Sequence, residues 1–338
     1  MLEEVDRFAL QCAYISVKPP ILLIGMDIGG TGYKKFADGT ISIQYLGEIV
    51  GPHGHIIINP WWSVVDDEIW VKRLNDIRSV SALLGGTKFH FFCNTNEEAN
   101  YLLHREFDAI LMNHNTFCND RVFHVGKFDK LYRAIYNAKM TPWKRHDLAK
   151  SVKNLALIYS RFGDPDSYLS RVREMLPDAY FLNGDPSDGT YKTFNSQQVA
   201  ENLNRAKVGL CLSNAEGAMY ASIEYLLCGL PIVSTRSKGG RDLFFDDRFC
   251  RIVDDDASAV AAAVEELIDR DIDPDFVRAE TLKKLDISRD RFVKFIDGLQ
   301  IANGNEPDGS AAFNRMMSGP WSCWSYKTIK DIRKHFCK

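Results

Sequence analysis

The sequence lacks the features that several function classes require. Its eight cysteines, at 12, 93, 118, 211, 228, 250, 323 and 337, include no Cys-x-x-Cys pair, and several sit in apolar strand or helix patterns. That argues against a paired-cysteine zinc or redox motif and for reduced, buried thiols of a cytoplasmic protein. No apolar run reaches the roughly 18 residues of a membrane span. The opening residues, MLEEVDRF, are acidic where a targeting segment would be basic. There is no repeat of solenoid length and no low-complexity tract. Excess charge is missing too: 42 basic against 45 acidic residues leave a net charge of −3, no electrostatic ground for a nucleic-acid partner. The expectation is a cytoplasmic protein without a transmembrane segment, with peripheral contact at a membrane face left open.

What is present is room for two domains: 338 residues, 45% hydrophobic and 26% charged. Short β-prone runs alternate with helical patterns along the chain, which predicts parallel, doubly wound sheets. The most informative stretch is 208–253. An apolar run, Val208 to Leu212, leads through a turn to a helical pattern from Ala215 to Cys228; Gly229 stops it, and a second run spans Pro231 to Thr235. Glu216 and Glu224 would lie about 80° apart around that helix and roughly 12 Å apart along it, within reach of one ligand. Glu216 and Gly217 would open the helix, where amide groups and the dipole favour a phosphate. Ser213-x-x-Glu216 equally fits a capping box, and Glu224 equally fits a solvent-facing position.

The run EGAMYASIEYLLCGLPIVST, followed by Gly239-Gly240, resembles the E-x7-E donor-site motif of retaining glycosyltransferases of the GT-B fold, particularly family 4. The resemblance implies two Rossmann-like domains facing a cleft, with a C-terminal helix crossing back. It also implies that Glu216 lies by the donor sugar, that the amides of Gly217, Ala218 and Met219 hold a diphosphate, and that Glu224 binds ribose hydroxyls. Turn amides at Gly239 and Gly240 would touch the donor, with Arg241 beside them. The family's Gly-Arg pair, followed five residues later by a lysine, corresponds here to Ala138-Lys139 and Lys144: the cations are kept and the bidentate arginine is not. On the same grounds the donor is a nucleotide-diphosphate sugar and the acceptor a hydroxyl of a glycan or glycoconjugate. No cofactor and no metal ion are required.

The first half matches more loosely. Met1 to Tyr14 has a weak helical pattern, Thr40 to Pro60 reads as strands, and His53 and His55 read as a polar turn. His114 follows the strand Asp108 to Met112, where open α/β sheets place ligands; the resemblance implies a candidate beside the donor sugar, and a turn-stabilising role fits equally. Asp27-Ile28-Gly29-Gly30-Thr31-Gly32 resembles the first phosphate motif of sugar kinases. Alternatively, Gly29 and Gly30 face the cleft or form a plain tight turn. The apolar positions Trp321, Trp324, Tyr326, Ile329, Ile332 and Phe336 suit a terminal helix. Residues 1–128 are expected to form an acceptor-side domain, 129–305 a donor domain, and 306–338 a linker and helix packed on the first. The reading is a retaining, metal-independent glycosyltransferase. Its alternatives are a catalytically silent binding module and the sugar kinase.

Overall fold

Strands form where β-branched and aromatic residues run together, and helices where apolar residues recur every three or four positions. In the computed structural model, residues 2–27, 29–161, 165–184, 190–318 and 325–337 are described. The chain divides into two units, Met1–Cys118 with Asp286–Lys338, and Asn119–Leu285.

The first unit opens with α1 (Leu2–Arg7), β1 (Ala9–Val17), β2 (Pro20–Met26), α2 (Ser42–Val50), β3 (His55–Pro60), α3 (Glu68–Leu84), β4 (Lys88–Cys93), α4 (Asn96–Leu103) and β5 (Asp108–Leu111). The strands β2 to β5 are parallel neighbours, and β1 lies antiparallel beside β2. Two elements differ from the sequence expectation. Residues 9–17 are a strand rather than helix, because β1 gains ladder partners on both sides. Residues 42–50 are helix rather than strand: Ile43, Leu46, Gly47 and Val50 are buried at helical spacing, one face packed on the core. Asp67 caps α3 by accepting from the Ile69 and Trp70 amides, and Gly85, at φ 63°, ends it.

The second unit contains β6 (Tyr132–Lys139), β7 (Leu155–Ser160), α5 (Pro165–Met175), β8 (Tyr180–Phe181), α6 (Ser196–Leu203), β9 (Ala206–Cys211), α7 (Tyr220–Leu227), β10 (Ile232–Thr235), β11 (Cys250–Val253) and α8 (Ala257–Asp269). Its six strands are all parallel, in the order β11-β10-β9-β6-β7-β8. Asp256 caps α8, as its position ahead of the helix predicts.

The long helix α9 (Pro274–Ala302) starts in the second unit, and the change of unit falls inside it, at Asp286. The sequence places this change in the polar loop after residue 302; it comes earlier because Phe292, fully buried, packs edge-on against Phe92 and Phe117 of the first unit. Beyond α9 follow α10 (Gly309–Met317), β12 (Ser325–Thr328) and α11 (Ile329–Phe336). The tail is therefore partly strand: β12 extends the first sheet along β1, and Ile329 and Ile332 of α11 enter the core of that unit. Trp321 and Trp324 lie outside the described residues. No described helix is long and apolar enough to cross a membrane.

Candidate functional site

In the second sheet the chain lays down β6, moves outward through β7 and β8, and returns to β9 on the other side of β6. The carboxyl ends of β6 and β9 thus flank a topological switch point, where such sheets form a ligand crevice. Pairing between the two strands runs from Tyr132 to Ile135, opposite Ala206 to Gly209. Past that point the Asn137 amide donates to the Tyr225 hydroxyl at 2.6 Å instead of to a neighbouring strand. The Tyr225 ring lies against Gly209, where a Cβ would come within 2.4 Å of it. The Tyr136 hydroxyl likewise donates to the Lys144 carbonyl, at 2.6 Å.

Lys144 follows β6 and Glu216 follows β9, and their side chains form an ion pair with each 9% exposed. The Ser213 hydroxyl also donates to Glu216 Oε1, at 2.5 Å. Glu216 is not on a helix: α7 begins at Tyr220, with Met219 at its N-cap in a left-handed conformation. The helical separation expected between the two glutamates therefore does not apply, and Ser213 binds the Glu216 carboxylate rather than capping a helix. Gly217, Ala218 and Met219, all buried, form the link between Glu216 and α7.

No α-helix follows the basic loop. Residues Pro142–Lys144 and His146–Ala149 are single 3₁₀ turns separated by Arg145 at φ 50°. Arg145 instead ties the loops together, donating to Leu212 O at 2.6 Å, the Thr235 hydroxyl at 2.7 Å and Asp255 at 2.6 Å. Lys139, at the end of β6, is exposed. His146 is buried beside Tyr136 and Tyr168, and desolvation with the nearby Lys144 charge lowers it to about 3, so it is neutral.

Glu224 is partly buried on α7, and Asn137 Nδ2 donates to it at 3.3 Å. Desolvation outweighs that bond and raises its carboxyl to about 7. The turn after β10 closes the site from behind. Lys238 and Ala215 form a parallel bridge, the Glu216 amide donates to Lys238 O at 2.9 Å, and the Gly240 amide donates to Gly217 O at 2.6 Å. Gly239 sits at φ 101°, and a Cβ there would lie 1.8 Å from the Glu216 carbonyl oxygen. The Arg241 guanidinium, 1% exposed, points inward to the Ser213 carbonyl and hydroxyl and the Thr235 carbonyl.

Asn137, Ser213 and Thr235 were not singled out by the motif. The signal for Asn137 is a polar residue late in the apolar run of β6, close to the strand end where ligands bind.

The other candidates lie in the first unit. His114 is buried in a short turn after β5, its amide donating to Asn94 Oδ1 at 3.1 Å; desolvation lowers its imidazole to about 3, so it is neutral. In the glycine turn that holds Gly29 and Gly30, both carboxylate oxygens of Asp27 are taken by Thr31, from its amide at 2.9 Å and its hydroxyl at 3.0 Å. That is the geometry of a self-closed tight turn. Ile28 lies outside the described residues. His55 is not in a polar turn: it is the first residue of β3 and is buried.

Residues 186–270 match the family described as Glycosyl transferases group 1. The matched segment contains Ser213, Glu216, Glu224 and the Gly239-Gly240 turn. The chain is similar to solved structures at low identity: Anabaena Alr3699/HepE in complex with UDP, at 11% identity and TM-score 0.50, covering 80% of this chain and 74% of that one. The same protein in complex with UDP and glucose matches at 10% and 0.50, covering 78% and 71%. TarM matches at 12% and 0.50, covering 79% of this chain and 55% of its own. The fold is GT-B, with a parallel-stranded α/β sheet in each of two domains. No protein of curated function matches the chain by sequence comparison.

Proposed function

We propose that this group 1 glycosyltransferase transfers a sugar from a nucleotide-diphosphate donor to a hydroxyl of a glycan or glycoconjugate, with retention of configuration and without a metal ion. The observation that carries the reading is the meeting of Lys144, Glu216 and the Glu224–Asn137 pair at the switch point between β6 and β9, within and beside the segment that matches the family. Lys144 and Lys139 would offset charge building on the leaving diphosphate, with the backbone of Gly217 to Met219 beside them. Glu216 would orient the donor sugar, and Glu224 would accept the ribose hydroxyls. UDP, present in the HepE complex, is the first nucleotide to try. Six buried free cysteines support a reducing, cytoplasmic setting.

The test is release of nucleoside diphosphate by the purified chain from a panel of nucleotide sugars, with nucleotide binding measured in parallel. Glu224→Ala should weaken nucleotide binding, while Glu216→Ala should mainly lower turnover. Binding without release under every acceptor condition would favour the silent module. Binding of ATP alone would overturn the transferase.

A further inference from the structure

Two buried groups behind Glu216 form a one-way chain of donors. Arg241 is at the base. Its guanidinium donates to the Ser213 carbonyl at 2.7 Å, to the Ser213 hydroxyl oxygen at 3.0 Å and to the Thr235 carbonyl. Because an arginine can only donate, the Ser213 oxygen must accept from it. The one proton of that hydroxyl is then directed to the next partner, Glu216 Oε1, at 2.5 Å. Lys144 donates to the same oxygen. Ser213 is fully buried and Arg241 is 1% exposed, so water does not compete for these bonds.

The consequence is asymmetric. Oε1 of Glu216 takes two donors, while Oε2 accepts no hydrogen bond among the described residues and is not among the fully buried polar atoms. The carboxylate is thus fixed by one oxygen and presents the other outward. Arg241 bonds no carboxylate among the described residues; its charge acts on Glu216 through the serine. A buried cation spent on two carbonyls and a hydroxyl is costly unless it orders something. The thing it orders is the orientation of Glu216.

We infer that Arg241 and Ser213 are positioning residues that lock Glu216 Oε1 and so aim Oε2 at the donor sugar. This rests on the reading of Glu216 as the sugar-side carboxylate. The sequence places Arg241 beside turn amides that would touch the donor; here its guanidinium faces Ser213 and Thr235 instead.

The experiment uses the full chain with UDP-glucose, UDP-N-acetylglucosamine and GDP-mannose as donors. It measures nucleoside diphosphate release as kcat and KM, with water or an added glycan hydroxyl taking the sugar, and UDP binding by calorimetry, for Ser213→Ala, Ser213→Thr and Arg241→Lys. Ser213→Ala should lower kcat about tenfold to a hundredfold. UDP affinity and donor KM should stay within about threefold, since UDP lacks the transferred sugar that Oε2 would meet. Ser213→Thr, which keeps the hydroxyl, should recover most of the kcat. Arg241→Lys, which keeps the charge without the planar fork, should behave like Ser213→Ala. The inference is overturned if kcat in Ser213→Ala stays within about twofold of the wild type, or if Ser213→Thr gives no recovery. It is also overturned if UDP affinity falls in step with kcat, the mark of a merely structural role. A wild-type chain that neither binds UDP nor releases diphosphate from any of the three donors overturns the functional reading itself, and this inference with it.

Discussion

Lys144 and Glu216, 72 residues apart in sequence, form an ion pair at the mouth of the second sheet with both side chains nearly buried. Each compensates a charge that the other's removal would strand. Truncating either to alanine should cost on the order of 3–5 kcal/mol, while the double variant should cost less than the sum. Urea unfolding of the four proteins measures this. Additive costs would show that the pair is not coupled in solution.

Glu224 gives the site a pH dependence with a definite sign. Its carboxyl is raised by burial to about 7 from the ordinary 4.5. The folded state therefore holds a proton that the unfolded chain releases, and stability falls as pH rises from about 4.5 to about 7. The loss is on the order of 1–3 kcal/mol. Glu224→Gln should remove this slope in thermal melts. If the ionised carboxylate accepts ribose hydroxyls, uridine should bind more tightly as pH rises through 7 in the wild type and not in Glu224→Gln. Uridine is the better probe, because it carries no titrating phosphate. Parallel profiles in the two proteins would remove Glu224 from the nucleotide site.

Gly239→Ala tests the junction of the two loops. The position needs a positive φ, and the new methyl would meet the Glu216 backbone. The variant should lose about 1–3 kcal/mol and should lose UDP binding with it, since the Glu216 loop must shift. Unchanged binding would mean that the loop position does not matter to the nucleotide.

A separate sensitivity lies in the first unit. Asn303 Nδ2 donates to His55 at 3.0 Å, His55 and His90 share a 2.8 Å bond, and His90 Nδ1 meets Asp108 at 2.5 Å. With both rings neutral every partner is satisfied; an added proton on His55 would face the Asn303 amide. Desolvation, followed by His90 and Lys88, lowers His55 to about 4. Its contribution is present above the unfolded value of about 6.5 and is lost as pH falls toward 4. His55→Gln should flatten the decline of melting temperature over that range. An unchanged decline would place the acid sensitivity elsewhere.

The parallel sheets were legible because both faces of each are covered, so their strands read as short apolar runs. The spacing of Glu216 and Glu224 was legible too, but its geometry was not. A helical period was extended back over residues 215–219, where Met219 is left-handed and Lys238 holds the backbone in a bridge. Those constraints come from a loop more than twenty residues away, beyond any local pattern. Arg241 was legible as a charge in a glycine turn, and only its long-range partners reveal that it points inward. The His55 chain was hidden for a similar reason: its members come from three strands and the end of a helix. The strand at residues 9–17 depended on a partner at 325–328, more than three hundred residues downstream.

Tyr225 joins α7 to both central strands of the second unit. A parallel sheet whose ladder ran to the ends of both central strands would leave no space between them. Here the hydroxyl of Tyr225 takes over the Asn137 amide where β9 stops pairing, and Gly209 leaves room for its ring. The backbone stays satisfied while the strands part. At this point the two central strands are joined through a buried phenol rather than through backbone pairing, so a side chain of α7 sets the spacing of their carboxyl ends.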